Sequence, residues 1–471
     1  MSLLAGVPAD YGPAMPTPAN IAKDLAALLG EAAVIANPAR MAGYLDEPRK
    51  RFHTPAVAVA IPQDIGQVQA LARWANERRV GLIPQGGNTG LVGAQVPVRG
   101  DEVIVSLQKL NRIREIDADA GHVTAEAGVI LDAVHRAAEE SGAIFPLWLA
   151  SQGSARVGGV LSSNAGGVQV LAYGNARELC LGIEAVLADG RLYQGLGSLK
   201  KDNTGYDLKD LFVGAEGTLG IITAATLKLF PKPDAYETAF CNVASPREAL
   251  QLFYLLRQRL GSRLTAFELM PHLGIELQLK HGMLAQSPAA PSPWYALCEV
   301  SRMAGGVPGA LTAALEEAFA QALVTDAAIA ESEAQRMAMW AAREQMSDVQ
   351  SKEGASIKHD VSVPIAAVPQ LIADGVAAVE RIAPGIRACP FGHMGDGNIH
   401  LNFSQSAGAD PKAFMAGAEP IHEAIYEIVI KLGRSVAAEH GSGQLKADLL
   451  RRSFDASVRA MDYGPARVMP F

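Results

Sequence analysis

At 471 residues the chain is too long for a single hydrophobic core, so we expect two or three domains. The apolar fraction of 49% excludes an intrinsically disordered protein, and a net charge of −8 without a basic run argues against nucleic acid as a partner. Four scattered cysteines, no targeting signal and no apolar run of the ~20 residues that cross a bilayer together predict a cytoplasmic protein.

The first part of the chain alternates short helices and strands, which is typical of an α/β unit. Helices are predicted over residues 20–36, 63–79 and 129–141, and strands over 54–62, 80–84, 103–106 and 122–127. A strand pair over 182–193, with Asp189-Gly190 at its turn, indicates a β-hairpin. The strand predicted over 220–230 ends at Pro231-Lys232-Pro233, where we expect a domain boundary.

Beyond this boundary, strands are expected to alternate with long alanine-rich helices. The helices are predicted over residues 245–260, 309–323, 340–347 and 366–382, and a strand over 357–364. The last segment, from about residue 420, is predicted to be largely helical and to carry Glu439-His440. The expected fold is therefore α+β, with domains at 1–232, 233–424 and 425–471.

Three glycine-rich segments in the first part of the chain indicate a phosphate-bearing ligand. They lie at residues 84–93, 150–167 and 214–223. Glycine allows positive φ and close approach of the backbone, so that successive N–H groups can point at a phosphate. Their spacing matches neither the dinucleotide fingerprint nor the lysine-bearing phosphate loop, and one such segment could equally be a tight turn. Three of them in one α/β unit favour an elongated ligand.

A second pattern combines residues 392–400, with the sequence GHMGDGNIH, and Glu439-His440-Gly441. Two imidazoles and one carboxylate with an open position are the ligand set of a catalytic Zn²⁺ or a similar divalent ion. A further imidazole could serve as a base. A histidine in an apolar region is usually a core residue, but the flanking glycines cost backbone entropy without a gain in packing. They therefore favour a functional site.

Together these motifs resemble the vanillyl-alcohol oxidase and p-cresol methylhydroxylase flavoproteins over about residues 40–455. Within that superfamily the chain is most similar to the FAD-dependent D-2-hydroxyacid dehydrogenases, the D-2-hydroxyglutarate dehydrogenases in particular. The resemblance implies a two-part α/β FAD-binding domain over 1–232. It further implies an α+β substrate domain with an antiparallel sheet over 233–424, and a helical segment over 425–471 that completes the active site.

The resemblance also implies that FAD lies along the glycine-rich segments. Family members that bind flavin covalently through the first segment carry a histidine where this chain has Asn88, so we expect non-covalent FAD. The expected FAD contacts are Pro84, Gly86, Gly87, Asn88, Thr89, Gly90, Leu91, Ser151, Gly153, Ser154, Gly158, Gly159, Ser162, Asn164, Gly166, Glu216, Gly220 and Ile221.

At the second pattern, the resemblance implies that the metal ligands are His393, His400 and Glu439, and that His440 is the general base. A divalent cation lowers the pKa of a substrate hydroxyl, so that an imidazole can deprotonate it while FAD N5 accepts the hydride. The alternative is that His440 only supports the site and a hydroxide on the metal is the base. Asn398 is expected to orient the substrate, and Asp396 to fix the tautomer of a ligand histidine.

A third set of residues is implied to bind the substrate carboxylates. Arg343 offers a bidentate fork and Lys358 a point charge, although from the sequence alone either could be a surface residue. Ser347 stands where relatives often have threonine, so the hydroxyl is retained. Two cations favour a dicarboxylate, D-2-hydroxyglutarate first and D-malate second.

The electron acceptor is left open by the sequence. No nicotinamide motif is visible, so an electron-transfer flavoprotein, a quinone or a cytochrome is expected. A D-lactate or glycolate dehydrogenase, an oxidase that uses O₂, and a flavin-binding interaction module without turnover are the alternatives. A homodimer is the default oligomeric state.

Overall fold

The computed structural model describes residues 17–433 and 435–453. The helices of the first part are α1 (Pro18–Leu29), α2 (Pro38–Leu45), α3 (Ile65–Arg78), α4 (Leu131–Glu140), α5 (Val157–Ser162), α6 (Val170–Tyr173), α7 (Ala176–Leu179) and α8 (Lys209–Phe212), with a 3₁₀ turn at Glu31–Ala33. The strands are β1 (Val34–Ile35), β2 (Ala58–Ala60), β3 (Leu82–Gln85), β4 (Val103–Ser106), β5 (Ile113–Asp117), β6 (His122–Glu126), β7 (Ala143–Ile144), β8 (Cys180–Val186), β9 (Leu192–Gly195), β10 (Ile221–Lys228) and β11 (Phe230–Pro231).

These strands form two main sheets that share a core. In the first sheet, of order β1-β2-β4-β3, strands β2 and β3 run parallel to β4, and helices α1 and α3 pack against it. The second sheet, of order β5-β6-β10-β8-β9, is antiparallel throughout. Val186 and Ile221 of the second sheet pack into the core of the first. The first glycine-rich segment follows β3 and the third leads into β10, so both lie at strand ends of these two sheets.

The second part of the chain contains α9 (Pro246–Leu260), α10 (His272–Lys280), α11 (Ala310–Ala320), α12 (Glu333–Glu344), α13 (Met346–Ser351), α14 (Val368–Ile382), α15 (Pro411–Ala416), α16 (Ala418–Lys431) and α17 (Ala447–Ser453). Its 3₁₀ turns are Gly261–Arg263 and Ile365–Ala367. Its strands are β12 (Ala235–Val243), β13 (Leu264–Pro271), β14 (Trp294–Arg302), β15 (Asp326–Ile329), β16 (Ser356–Ile357), β17 (Asp360–Ser362), β18 (Arg387–Phe391) and β19 (Asn398–Ser404).

Two antiparallel sheets organise this second part. One has the order β13-β14-β12-β15, and in the other β19 pairs with β16, β17 and β18. Helices α9, α11, α14 and α16 contribute to one apolar core that spans both sheets. A single β-bridge between Leu269 and Gly392 joins the sheets at the point where the histidine-bearing turn begins.

The α+β class with antiparallel sheets is confirmed, whereas several element limits predicted from the sequence are wrong. The helix predicted over 20–36 ends at Leu29, because Gly30 has φ +89° and the chain then turns into β1. The strand predicted over 357–364 is interrupted at Lys358-His359, which lie between β16 and β17. The positions of the domain boundaries stay predictions, and no described helix is long and apolar enough to cross a membrane.

Glu439-His440 is not helical, contrary to the prediction. Helix α16 ends at Lys431, and positive φ angles at Gly433, Gly441 and Gly443 are incompatible with a continuous helix up to α17. The pair therefore lies on an irregular loop over 435–446, which can follow the shape of the site. Residues 454–471 of the predicted helical segment lie outside the described residues.

We expect Gly397→Ala to destabilise the fold because Gly397 closes the turn between β18 and β19. Its φ is +88°, and a Cβ would lie 2.2 Å from the carbonyl oxygen of Val363. Left-handed strain and this overlap together should lower the free energy of unfolding by about 2–4 kcal/mol, seen as a lower thermal unfolding midpoint. Gly408 is the control, since its φ is +77° and a Cβ there meets nothing within 4 Å. Equal effects of Gly397→Ala and Gly408→Ala would contradict the role of the Val363 contact.

Candidate active site

A cavity of about 1410 Å³ lies where the sheet around β19, the 435–446 loop and the second glycine-rich segment meet. Its wall contains the three predicted metal ligands together with the two cations predicted to bind carboxylates. These residues are His393, His400, Glu439, Arg343 and Lys358. The structure therefore brings together groups that are up to 96 positions apart in the chain.

His393, His400 and Glu439 present ligand atoms that all lie within 4.8 Å of one another. His400 is in the central strand β19, opposite Asp360 on β17. His393 follows the β-bridge between Leu269 and Gly392 that connects the two sheets. Strand pairing therefore sets the positions of both imidazoles before any ligand binds.

His393 is held between two carboxylates. Its Nδ1 lies 2.7 Å from Glu268 Oε1 and its Nε2 lies 2.8 Å from Glu439 Oε1. Burial would lower the pKa of His393, but the charges of Glu268 and Glu439 outweigh burial and raise it well above its usual value. These charges therefore favour the imidazolium form of His393. A divalent metal would replace the proton on Nε2, as expected for coupled metal and proton binding.

His400 completes a metal-binding set. Within the described part of the chain, neither of its ring nitrogens forms a hydrogen bond or ion pair. Burial lowers the pKa of His400 to about 4, so the imidazole is neutral and keeps a free lone pair. Two imidazoles and the Glu439 carboxylate within 4.8 Å fit a divalent metal with room for a further ligand.

Glu268, on β13, orients His393 of the predicted metal site, and the sequence analysis missed it. It is 1% exposed, and its Oε2 accepts a hydrogen bond from Arg343 Nε at 2.6 Å. The predicted role of Asp396 in fixing a histidine tautomer is wrong, because Asp396 accepts from the backbone N–H of Asn398 and Glu268 contacts the His393 ring. Burial raises the pKa of Asp396 to about 7. The only sequence signal for Glu268 was a carboxylate within an apolar strand.

His440 is oriented by Asp360, a second residue that the sequence analysis missed. His440 Nδ1 lies 3.3 Å from Asp360 Oδ2, and the backbone N–H groups of Glu439 and His440 donate to the same oxygen at 3.0 and 2.9 Å. Burial would raise the pKa of Asp360, but His440 and the neighbouring cation Lys446 outweigh it and lower that pKa. The other ring nitrogen of His440 lies 4.0 Å from Glu439 Oε2, beside the metal ligands.

Asn398, expected to orient the substrate, is turned partly toward the protein. Its Nδ2 donates to Asp360 Oδ1 at 3.0 Å and to the carbonyl of Val361 at 3.1 Å. Its Oδ1 is buried and accepts no hydrogen bond from the described residues. Asn398 therefore supports Asp360 directly, it is not among the described residues that line the cavity, and its role in orienting the substrate stays a prediction.

The three predicted carboxylate-binding residues lie on the same cavity, but their protein contacts differ. Arg343, on α12, is 6% exposed, pairs with Glu268, and places Nη2 3.5 Å from His393 Nε2. Lys358 donates from Nζ to Ser347 Oγ at 2.9 Å and to the Ser347 carbonyl at 3.2 Å. Arg343 is thus next to the metal ligands, whereas Lys358 and Ser347 form a separate polar group.

The three glycine-rich segments come together as predicted. A Cβ on Gly87 would lie 1.9 Å from the carbonyl oxygen of Ser154, and one on Gly217 would lie 3.2 Å from Pro84. Gly86 lies close to the backbone of Gly159. Within the described chain, no backbone N–H from residue 86 to 91 donates a hydrogen bond to protein. This close approach and the free donors fit the phosphates of FAD.

Some predicted FAD contacts have protein partners of their own. Asn88 donates from Nδ2 to the carbonyl of Asp46 at 2.8 Å, and Asn164 Oδ1 accepts from the backbone N–H of Arg177 at 2.9 Å. Ile221 is 2% exposed in the core, so it could reach a cofactor only through its backbone. The remaining residues named in the sequence analysis lie on the segments described above or at their ends, namely Thr89, Gly90, Leu91, Ser151, Gly153, Gly158, Ser162, Gly166 and Gly220.

Glu216 connects the third glycine-rich segment with the loop that carries Glu439 and His440. Its carboxylate accepts from the backbone N–H groups of Ser442 at 2.7 Å and Gly443 at 2.8 Å. Burial raises the pKa of Glu216. A Cβ on Gly166 would lie 3.6 Å from Glu439 Cγ, so the second segment also reaches this loop. The expected FAD surface and the metal cluster are therefore direct neighbours.

Comparison with known proteins agrees with this geometry. Residues 56–195 match the family model described as FAD binding domain, and residues 232–462 match FAD linked oxidases, C-terminal domain. The chain is 39% identical over 394 residues, 83% of this chain and 70% of the relative, to a mitochondrial D-2-hydroxyglutarate dehydrogenase of Bos taurus. It is 34% identical over 433 residues to a D-2-hydroxyglutarate dehydrogenase of Xanthomonas citri pv. viticola, covering 92% of this chain and 90% of that one.

The chain belongs to the FAD-dependent D-2-hydroxyacid dehydrogenases. Its fold is that of the vanillyl-alcohol oxidase and p-cresol methylhydroxylase superfamily. A substrate-bound p-cresol methylhydroxylase superposes with a TM-score of 0.75 at 18% identity, covering 94% of this chain and 93% of the other. Because some relatives of this dehydrogenase are named as mitochondrial and others are not, the cytoplasmic location stays a prediction.

We expect Glu268→Gln to weaken metal binding by this dehydrogenase about 10–100-fold, because a neutral amide orients and polarises His393 less well. Metal affinity is measured by competition with a chelator of known affinity, on protein with its full flavin content. Glu299→Gln is the matched control. Glu299 is also 1% exposed, and it also pairs with an arginine, Arg336, at 2.7 Å. Equal losses of metal affinity in both variants would show that Glu268 acts only through general stability.

Proposed function

We propose that this dehydrogenase oxidises a D-2-hydroxy dicarboxylic acid to the 2-oxoacid, with D-2-hydroxyglutarate as the first substrate and D-malate as the second. The observation that carries the proposal is the cluster of His393, His400 and Glu439, with His440 beside it and two cations on the same cavity. Relatives named D-2-hydroxyglutarate dehydrogenase at 34–39% identity support the substrate class.

The cluster would hold a divalent metal, with zinc as our first choice from its two nitrogen ligands and one oxygen ligand. When bound, such a metal lowers the pKa of a coordinated substrate hydroxyl. Non-covalent FAD along the three glycine-rich segments would supply the hydride acceptor. The residues that would hold these two groups meet at the contact between Gly166 and Glu439.

His440 is placed to remove the hydroxyl proton of the substrate. Its Nδ1 faces Asp360 Oδ2 at 3.3 Å, which favours the tautomer with the proton on Nδ1 and leaves Nε2 as the acceptor. This nitrogen lies 4.0 Å from Glu439 Oε2, so it is next to a residue that would hold the metal. The ionised Asp360 also stabilises the imidazolium that forms when the proton arrives.

The cavity cations account for two carboxylates. Arg343 lies beside His393 and suits the carboxylate next to the hydroxyl, although Glu268 already occupies its Nε. Lys358, with Ser347, is separate from this group and suits a second carboxylate. An electron-transfer flavoprotein, a quinone or a cytochrome would then accept the electrons from the reduced flavin.

The test is to mix the metal-loaded yellow protein anaerobically with D-2-hydroxyglutarate, D-malate, D-lactate and glycolate, and to follow flavin absorbance. We expect rapid bleaching with the dicarboxylates, abolished by chelation while FAD stays bound, because Asp360 and Glu216 hold the 439–443 loop without a metal. Chelation and reloading with zinc, on one sample, is the internal control.

Other outcomes separate the alternatives. Bleaching by lactate or glycolate alone would identify a monocarboxylate dehydrogenase and contradict the proposed roles of Arg343 and Lys358. Peroxide formed in air at the rate seen with an artificial dye would identify an oxidase. Loss of flavin on chelation would contradict independent binding of the two groups.

We expect His440→Asn to lower the rate of flavin reduction by roughly 10²–10⁴, since the variant lacks the base. Rates are measured by stopped-flow absorbance with saturating substrate. His422→Asn is the control, because His422 lines the same cavity but bonds to His359 at 2.9 Å, away from the metal ligands. A fall of less than tenfold in His440→Asn would assign the base to another group, such as a hydroxide on the metal.

A further inference from the structure

The loop between α2 and β2 brings two arginines to the active-site cavity that no sequence motif singled out. Arg49 and Arg51 both line the cavity that contains Lys358 and the metal ligands. Arg49 is half-buried and Arg51 is exposed. They come from the N-terminal part of the chain, whereas Lys358 comes from the C-terminal part.

This loop has a defined conformation. Glu47 is 1% exposed, and its carboxylate accepts from the backbone N–H groups of Arg49, at 2.7 Å, and of Arg51. Asn88, in the first glycine-rich segment, donates to the carbonyl of Asp46 at 2.8 Å and so holds the loop against the expected FAD surface. Glu47 therefore binds the backbone of the two arginines rather than their guanidinium groups.

Among the described residues, the cations on this part of the wall form no close ion pairs. Elsewhere on the cavity, Arg336 pairs with Glu299 and Arg343 with Glu268. In contrast, across the described ranges neither Arg49 nor Arg51 has a carboxylate within 4.0 Å or a side-chain hydrogen bond. Lys358 is bonded only to Ser347.

The electrostatics of Lys358 agree with this arrangement. Burial lowers the pKa of Lys358, and the positive charges of Arg49 and Arg51 lower it further. Burial and the positive charge of Arg49 also lower the pKa of Lys446. Burial lowers the pKa of Arg49 as well, while the negative charges of Asp360 and Glu47 act on it in the opposite direction. A partly desolvated group of like charges is unfavourable unless an anion binds between them.

We propose that Arg49 and Lys358 together bind the distal carboxylate of a dicarboxylic substrate, and that Arg49 sets the preference for dicarboxylates over monocarboxylates. The inference rests on the proposed function, and it assigns different cations of the cavity to the two ends of the substrate. Arg343, neutralised by Glu268 and 3.5 Å from His393, serves the end at the metal. Arg49 and Lys358 serve the other end, and Arg51 adds positive charge at the rim.

The test compares Arg49→Gln with wild type in the metal-loaded holoenzyme. A charge-assisted hydrogen bond corresponds to roughly a 10–100-fold change in affinity. We therefore expect the KM for D-2-hydroxyglutarate to rise by about tenfold or more, while the limiting rate of flavin reduction and the KM for D-lactate change by less than about threefold. Arg49→Lys should restore part of the affinity, and Arg40→Gln, at an exposed position on α2, is the matched control.

A binding measurement tests the same subsite without turnover. Glutarate carries two carboxylates and no hydroxyl, so its affinity, measured by calorimetry, should fall about tenfold in Arg49→Gln. An unchanged glutarate affinity, or equal losses with D-2-hydroxyglutarate and D-lactate, would overturn the inference.

The two proposals can fail separately. If no hydroxyacid reduces the flavin of the wild type, the proposed function fails, and the glutarate measurement still decides whether Arg49 binds a dicarboxylate. If the wild type oxidises D-2-hydroxyglutarate and Arg49→Gln keeps its preference for that substrate over D-lactate, only the present inference fails.

Discussion

The geometry of the active site depends on one buried carboxylate, that of Asp360. It accepts hydrogen bonds from the backbone of Glu439 and His440, lies 3.3 Å from the His440 ring and receives Asn398. Taking an ionised carboxylate out of water is unfavourable unless several donors replace the lost hydration, and here four groups do so. Because these donors come from β19 and from the 435–446 loop, the charge of Asp360 holds His440, the proposed base, and Glu439, a proposed metal ligand, in a fixed relation.

Glu268 holds His393 in the same way that Asp360 holds the loop with Glu439 and His440. It joins His393 to Arg343 at 2.7 and 2.6 Å, so a histidine, an arginine and two glutamates, the second being Glu439, form one buried network. Arg343 and the protonated His393 together balance the charges of the two carboxylates. A divalent cation would replace the proton of His393 in that balance, so that metal binding and proton release would be parts of one equilibrium.

The two parts of the chain are also joined at the site itself. Glu216 holds the turn at Ser442 and Gly443, and Gln444 donates to the carbonyl groups of Gly93 and Val96 at 2.7 and 2.9 Å. The loop that carries His440, the proposed base, is thus fixed by the glycine-rich segments expected to contact FAD. Under the proposed function, this arrangement would let a hydride acceptor and a proton acceptor, bound by separate motifs, act on one substrate.

The sequence by itself determined the features that are local. Gly86 and Gly87 predicted a close approach of the backbone, and Gly397 predicted a tight turn between His393 and His400, because close approach and positive φ each depend on single positions. Short strand-like runs likewise predicted β4 and β6 almost to the residue. Tertiary structure alone decided the partners: Glu268 and His393 are 125 positions apart, and Glu216 and Ser442 are 226 apart. A carboxylate within an apolar strand, or an arginine in a short loop, carries no local sign of which distant group it will meet, since that depends on strand pairing and packing across the whole chain.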